Sequence, residues 1–130
     1  MSETTKTAQE GFINIGMNAA AGVSLVKGNL VEITDEDTVN KPSGAGSIKI
    51  IGEVIIPTRA AGEECTIATF FSKQRNLVTG AAVTVGAPVV VDASNKVIDY
   101  DSGSHSVAAI IGIAMEGSTG ADETIKVLVK

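Results

Sequence analysis

Aromatic residues are scarce in this chain of 130 residues, which contains three Phe, one Tyr and no Trp. Modules that bind carbohydrate or single-stranded nucleic acid usually present aromatic side chains on which sugar rings or bases stack. The net charge of −5 argues further against nucleic acid, because contact with phosphates requires a cationic surface. We therefore expect no direct nucleic-acid partner.

Cysteine pairs and long apolar runs are also missing. Cys65 is the only cysteine, so the chain has no internal disulfide to suggest an oxidising compartment. No apolar run approaches the roughly 20 residues of a membrane span, and the polar residues 1–10 lack the apolar core of a signal peptide. These absences predict a soluble protein that is made in a cytoplasm and has no membrane partner.

The residues that are abundant are those of β-sheets and tight turns. Ile and Val together supply 29 residues, whereas Leu supplies only four, and there are 14 Gly and 12 Thr. β-Branched side chains are stiff at χ1 and fit pleated sheets, while a helical protein of this length would use more Leu. The composition predicts an all-β fold of short strands.

The polar N-terminus and the remainder of the chain predict two different regions. Residues 1–10 are too polar to pack, and an alternating stretch, 12–15, follows them before a run of small residues. We interpret 1–20 as an extended N-terminal arm and 21–130 as a compact β-barrel domain.

The barrel region contains an internal repeat of about 50 residues. Segment 22–71 matches segment 80–129, and Ser72–Thr79 is predicted to link them. The matches occur in the same order along both segments, at offsets of 58 or 60 positions, and they include the tripeptide Ile-Ile-Gly at 50–52 and 110–112. Coincidence in a chain rich in Gly, Val and Ile is the alternative, but the order favours a repeat that closes a sheet on itself.

Each segment predicts the same series of strands. In the first copy they are 23–26, 30–34, a brief strand around Val39, 48–56 and 66–71. In the second copy they are 82–85, 89–92, 97–98, 107–116 and 124–129. Continuous apolar runs such as 89–91 suggest strands that are covered on both faces, as in a barrel or sandwich.

Residues with catalytic potential are few. His105 lies between Ser104 and Ser106, but neighbours in a loop rarely hold the geometry of a nucleophile and its base. Cys65 has no basic neighbour that would favour a thiolate, and it is expected to pack as a small apolar side chain. We therefore predict that the protein is not an enzyme.

Metal and cofactor sites are equally poorly supported. One His and one Cys do not make a zinc site, and 99–103 lacks the Gly and Glu spacing of an EF-hand. The hairpin Lys96 is similar in position to the modified lysine of biotinyl and lipoyl carrier domains, but Asn95 and Val97 replace the residues that flank that lysine. We expect no cofactor, and a non-catalytic binding or carrier module of a bacterial complex remains the alternative function.

Four stretches of the second segment form a recognisable series; they are 83–92, Asn95-Lys96-Val97, 110–116 and 122–129. In these stretches the chain resembles the bacteriophage capsid cement, or head decoration, proteins. That family shows a progression of Gly-x-x-Val, Gly-Lys-Val, Gly-Ile-Ala and Val-x-Val. Asn95 stands where the family usually has Gly, a conservative change because Asn also tolerates turn conformations.

The resemblance implies both a fold and a function. It implies a compact β-barrel or β-tulip domain that sits on the outside of a phage head, commonly as a homotrimer. Its partner would be the major capsid protein, and its role would be to stabilise the expanded shell against internal DNA pressure. The protein would then be made in the cytoplasm of the host bacterium and would reside on the outer surface of the virion.

The arm supplies the expected capsid contacts. Twenty extended residues span up to roughly 65 Å, enough to cross a subunit boundary. The alternating stretch could add a strand to an exposed sheet edge of the partner. The predicted contact residues are Thr4, Thr5, Lys6, Thr7, Phe12, Ile13 and Ile15. The sequence leaves open whether the arm contacts the shell or a neighbouring copy of the chain.

Overall fold

The computed structural model describes residues 14–70 and 73–129, with the backbone alone described at Lys73. Within these residues the chain forms ten β-strands and one 3₁₀ helix, so the predicted all-β class is confirmed. The strands are β1 (Asn14–Ala19), β2 (Leu30–Asp35), β3 (Thr38–Asn40), β4 (Ile50–Ile56), β5 (Glu64–Thr69), β6 (Lys73–Val78), β7 (Pro88–Val91), β8 (Val97–Asp99), β9 (Gly112–Ala114) and β10 (Thr124–Val129). The 3₁₀ helix is Val107–Ala109.

The first five strands form a closed barrel in the order β1-β3-β2-β4-β5. All neighbouring pairs are antiparallel except β1 and β3, which run parallel and pair at Asn18–Thr38 and Ala19–Val39. The remaining five strands form a second sheet in the order β6-β10-β9-β7-β8. An isolated parallel bridge connects Thr79, the residue after β6, with Val97 of β8, so the two outer strands of this sheet approach each other.

The two sheets are copies of one topology. Strands β1 to β5 correspond in order to β6 to β10, and each pairing of the first sheet recurs in the second. Loop hydrogen bonds recur as well. The Leu25 N–H donates to the Thr58 hydroxyl at 3.1 Å, and the Val83 N–H donates to the Ser118 hydroxyl at 2.9 Å. The sequence repeat therefore corresponds to a structural repeat of two five-stranded units.

The boundaries of the repeat differ from the predicted 22–71 and 80–129, because each unit begins one strand earlier. The predicted linker Ser72–Thr79 contains β6, and the last part of the predicted arm 1–20 is β1. The sequence signal for β6 is weak because its first four residues are polar, and that for β1 is weak because it contains two Asn, one Gly and one Ala. In β1 only Met17 and Ala19 are buried, and β6 has the sequence KQRNLV.

Three other predicted strands differ from the structure. The segments 23–26 and 82–85 form no extended strand: the Leu25 N–H donates to the Thr58 hydroxyl, and Val83 forms only an isolated antiparallel bridge with Ser118. The predicted long strand 107–116 is divided into the 3₁₀ helix and the short strand β9. The Ser106 hydroxyl accepts a hydrogen bond from the Ala108 N–H at 3.2 Å, and this cap begins a helical turn in place of a strand.

Each unit encloses its own apolar cluster. The first cluster centres on Leu25, Val31, Val39, Val54 and Ile67, all fully buried. The second cluster consists mainly of the Val and Ile side chains of β7, β8 and β10. Apolar side chains of the first unit also pack against this second cluster; they are Leu30, Ile50 and Phe70.

Polar contacts join the units at the same boundary. The Asn95 side chain accepts a hydrogen bond from the Leu30 N–H and donates one to the Gly28 carbonyl at 3.1 Å. Arg75 of β6 forms an ion pair with Glu53 of β4, and both side chains are largely buried. The two units therefore share an interface that is both packed and hydrogen-bonded.

Candidate functional site

A groove of about 600 Å³ opens between the two units, and we call it the junction groove. Most of its lining is apolar. The apolar residues from the first unit are Ile15, Met17, Ile33, Ile48, Ile50, Ile51 and Phe70, and those from the second unit are 108–111. A concave apolar surface of this size lies within the range of ordinary ligand and peptide sites.

The groove exists because β1 and β3 pair over only two residues. The parallel pairing is confined to Asn18 and Ala19, so the first half of β1 has no described strand on the β3 side. Successive side chains of a strand point to opposite faces, and this alternation turns Ile15 and Met17 toward the groove. The groove therefore borders the part of β1 that lies beyond its pairing with β3.

The loop between β3 and β4 forms one lip of the groove and is held by a buried carboxylate. The Glu32 side chain is 2% exposed, and its Oε1 accepts hydrogen bonds from the Ser47 hydroxyl at 2.7 Å and from the Ser43 N–H at 3.2 Å. Burial acts to raise the pKa of Glu32. The hydrogen bonds from Ser47 and Ser43, with the charge of Lys49, outweigh burial and lower this pKa. Ser47 and its neighbour Ile48 are therefore fixed at the groove.

The second unit supplies the opposite wall. Its 3₁₀ helix and the following Ile110 and Ile111 face the groove. The Gly46 N–H donates to the Val91 carbonyl at 2.8 Å, which ties the loop of the first unit to β7. A side chain at Gly46 would meet the His105 ring closer than 3.0 Å, so the loop and the second unit approach closely here.

The rim of the groove combines exposed apolar side chains with acidic ones. Ile48 is 61% exposed, and Val107, adjacent to the lining residue Ala108, is 70% exposed. Glu36 also lines the groove, and its chain neighbours Asp35 and Asp37 are exposed. This surface can bind an apolar segment, and the Glu36 carboxylate favours a partner with a positive charge beside that segment.

Only one of the predicted contact residues falls in the described part of the chain. Ile15 lies in β1, pairs with Ile67 of β5 and lines the junction groove. The other six lie outside the described residues; they are Thr4, Thr5, Lys6, Thr7, Phe12 and Ile13. Whether any of the seven contacts a capsid stays a prediction.

The side chains considered for catalysis have structural partners. His105 Nδ1 accepts a hydrogen bond from the Asp101 N–H at 3.0 Å, while the Ser104 hydroxyl donates to Asp101 and the Ser106 hydroxyl caps the 3₁₀ helix. Hydrogen bonds from Gly103 and Ser104 lower the pKa of Asp101, as does the nearby His105. The hydrogen bonds of this loop thus centre on Asp101, and no serine in the described part of the chain is hydrogen-bonded to His105.

Cys65 and Lys96 are likewise engaged. The Cys65 thiol is buried and donates to the Met17 carbonyl at 3.5 Å, and burial, with the negative charge of Glu64, raises its pKa. Lys96 forms an ion pair with Asp122, and this hydrogen bond and charge raise the lysine pKa. A raised pKa makes both groups weaker nucleophiles at neutral pH.

Neither a metal cluster nor a membrane-spanning helix is found in residues 14–70 and 73–129. No three His, Cys, Asp or Glu side chains there lie together in a way that could hold a metal ion. None of the helices described is long and apolar enough to cross a membrane.

The junction groove could not be read from local sequence patterns. The sequence predicts that Ile48 and 107–111 lie in long strands, and an exposed Ile in a strand gives no signal that it borders an opening. The walls combine residues between Ile15 and Phe70 with residues 108–111, and the shared boundary depends on packing between the units. The one available signal was the repeat itself, since paired units must meet along some surface.

The comparisons with known proteins agree with this architecture. Among curated proteins, no sequence matches the chain. Among solved structures, the chain is similar to the N base of the head fiber gp8.5 of bacteriophage phi29, with a TM-score of 0.61 and 12% sequence identity. That similarity covers 92% of this chain and 94% of the other, and at such identity it supports the fold. The sequence model of a family described as phage cement protein matches residues 2–129, nearly the whole chain, and the chain therefore belongs to the phage cement protein family.

Proposed function

We propose that this protein binds the outer surface of an expanded phage head and stabilises the shell against the pressure of the packaged DNA. Membership of the cement family gives a head-associated, capsid-decorating role. The position on the outside of the shell and the resistance to pressure are the parts that we add. The family match over residues 2–129 is the observation that carries the proposal.

The architecture supports a mechanical role. Two closed or nearly closed five-stranded units leave few strand edges and are locked together by packing, by Asn95 and by the Arg75–Glu53 ion pair. A body of this kind transmits load between the surfaces that it joins, because close-packed interiors deform little. Bound across neighbouring shell subunits, it would oppose their separation.

The partner in this proposal is the major capsid protein, and the bound form is a homotrimer. Three copies joined to each other would bind with higher avidity than one, because each further contact forms at high effective concentration. Residues 1–13 provide a second attachment. Fully extended, they would reach roughly 45 Å from the start of β1.

Electron cryomicroscopy of reconstituted heads tests the proposal. Purified protein is mixed with expanded heads that lack it, and the heads are imaged. We expect added density on the outer surface at positions that follow the shell symmetry. Unchanged heads, or density on the inner surface alone, would refute the proposal.

A deletion variant tests the role of the N-terminal residues. The deletion should remove residues 2–13 and spare Asn14 and Ile15, because these two pair with β5 in the first barrel. We expect a folded protein, by circular dichroism and thermal unfolding, that binds expanded heads less tightly. Head binding equal to that of the intact chain would exclude a role for residues 2–13.

A further inference from the structure

We propose that the junction groove is the surface with which this protein holds an extended segment of the shell protein, one that carries apolar side chains next to a basic residue. The inference rests on the proposed function and adds to it the contact surface and the chemistry of the segment. Three properties of the groove lead to this partner: its apolar walls, the free edge of β1 and the acidic rim.

The apolar walls end in side chains that are unusually exposed. The lining residues Ile48 and Ile33 are 61% and 37% exposed, and Val107, which precedes the lining residue Ala108, is 70% exposed. Exposed apolar side chains that surround a concave apolar surface are typical of a site covered by a partner. A segment with apolar side chains would bury these residues and fill the groove.

The edge of β1 favours a partner in the extended conformation. The N–H groups of Asn18 and Ala20 donate to the carbonyls of Asp37 and Val39, so alternate residues of β1 direct their peptide groups toward β3. By the same alternation, the peptide groups of Asn14 and Gly16 are directed toward the β3 side of β1. On that side this part of β1 has no partner strand among the described residues. An added strand would bond to these groups, as in other complexes formed by strand addition.

The negative charge of the rim favours a segment of another protein, and not a segment of this chain, as the occupant of the groove. Glu36 lines the groove, with exposed Asp35 and Asp37 on either side of it. Residues 1–13 contain one Lys and two Glu, a net side-chain charge of 1 − 2 = −1. A segment with a Lys or Arg beside its apolar residues complements this rim better than residues 1–13 do.

A matched pair of isoleucine variants tests the inference. Ile48 at the groove is 61% exposed, and Ile56 at the far end of β4, outside the groove lining, is 58% exposed. Both I48D and I56D should fold, because neither side chain is buried. In binding to expanded heads, I48D is expected to be weakened by a factor of at least about ten, and I56D to match the wild type.

A matched pair of charge variants tests the rim. Glu36 lies at the groove, whereas the exposed Glu63 precedes β5 and does not line it. E36K is expected to weaken head binding several-fold more than E63K does. The difference should shrink as salt is raised, because added ions screen charges at an exposed rim.

The possible outcomes separate the inference from the function on which it rests. If the wild type does not bind heads, the proposed function fails. If the wild type binds and I48D binds as tightly as I56D, the groove inference alone fails. A lower oligomeric state of I48D in sedimentation would show that a second copy fills the groove, and it would also overturn the inference. The inference would also be overturned if I48D no longer weakened head binding in a protein that lacks residues 2–13. That result would show that the protein's own N-terminus fills the groove.

Discussion

Two glycines that occupy equivalent places in the repeat provide a sharp test of the fold. Gly52 in β4 pairs with Thr69, and Gly112 in β9 pairs with Val129. A Cβ atom at either position would approach the backbone carbonyl of the neighbouring strand, from Ala68 or Leu128, closer than 3.0 Å. We predict that Gly52→Ala and Gly112→Ala both destabilise the protein, and by similar amounts.

The size of the effect follows from the strand movement that the methyl group requires. Overpacking of this kind costs about 1–3 kcal/mol, while the loss of glycine's freedom in the unfolded chain returns about 0.4–1 kcal/mol. The net loss should be about 1–2 kcal/mol. For a chain of this length, that corresponds to a melting temperature lower by roughly 4–8 °C.

Thermal and urea unfolding of the two variants, followed by circular dichroism, would measure the effect. Gly44→Ala and Gly120→Ala are the controls, because a Cβ atom at either site has no neighbour within 4 Å. These controls should stay within about 0.5 kcal/mol of the wild type. Wild-type stability of Gly52→Ala and Gly112→Ala would refute the close approach, and a large loss in only one of them would refute the equivalence of the units.

Two further predictions concern contacts that fix the groove and the unit boundary. The pKa of Glu32 is lower in the folded state than in the unfolded state. The stability that its charge provides is therefore present above the unfolded-state pKa and is lost as pH falls through the folded-state pKa. Glu32→Gln should therefore cost about 1–2 kcal/mol at pH 7 and much less at pH 3 in urea titrations, and an equal loss at both values would contradict this. Asn95 adopts a positive φ of 70° and bridges to Gly28 and Leu30. Asn95→Gly keeps the backbone conformation but should cost about 1–2 kcal/mol by the same assay, whereas an unchanged midpoint would mean that the bridge adds nothing.

The sequence predicted the parts of the fold that local patterns encode. The apolar run 89–91 lies within β7 as a fully buried strand, and 124–129 is β10 with strict alternation. The order of matched segments predicted the repeat that the topology shows. These features could be predicted because a strand that is buried on one or both faces has a recognisable pattern of apolar residues in the sequence.

The remaining features depend on contacts between distant segments. Lys73-Gln74-Arg75-Asn76 gives no strand signal, yet β6 forms because β10 supplies a ladder along its whole length. Ile110 and Ile111 look like strand residues but follow a 3₁₀ turn, which is capped by Ser106. The junction groove arises where two units meet and where β1 separates from β3, and neither event leaves a local pattern.

The temperature at which DNA-filled heads release their DNA shows whether this protein stabilises the shell. Heads that lack this protein are measured with and without saturating amounts of the purified protein, with release followed by a dye that fluoresces on free DNA. We expect a higher release temperature for decorated heads. Full occupancy on the shell with an unchanged release temperature would contradict it.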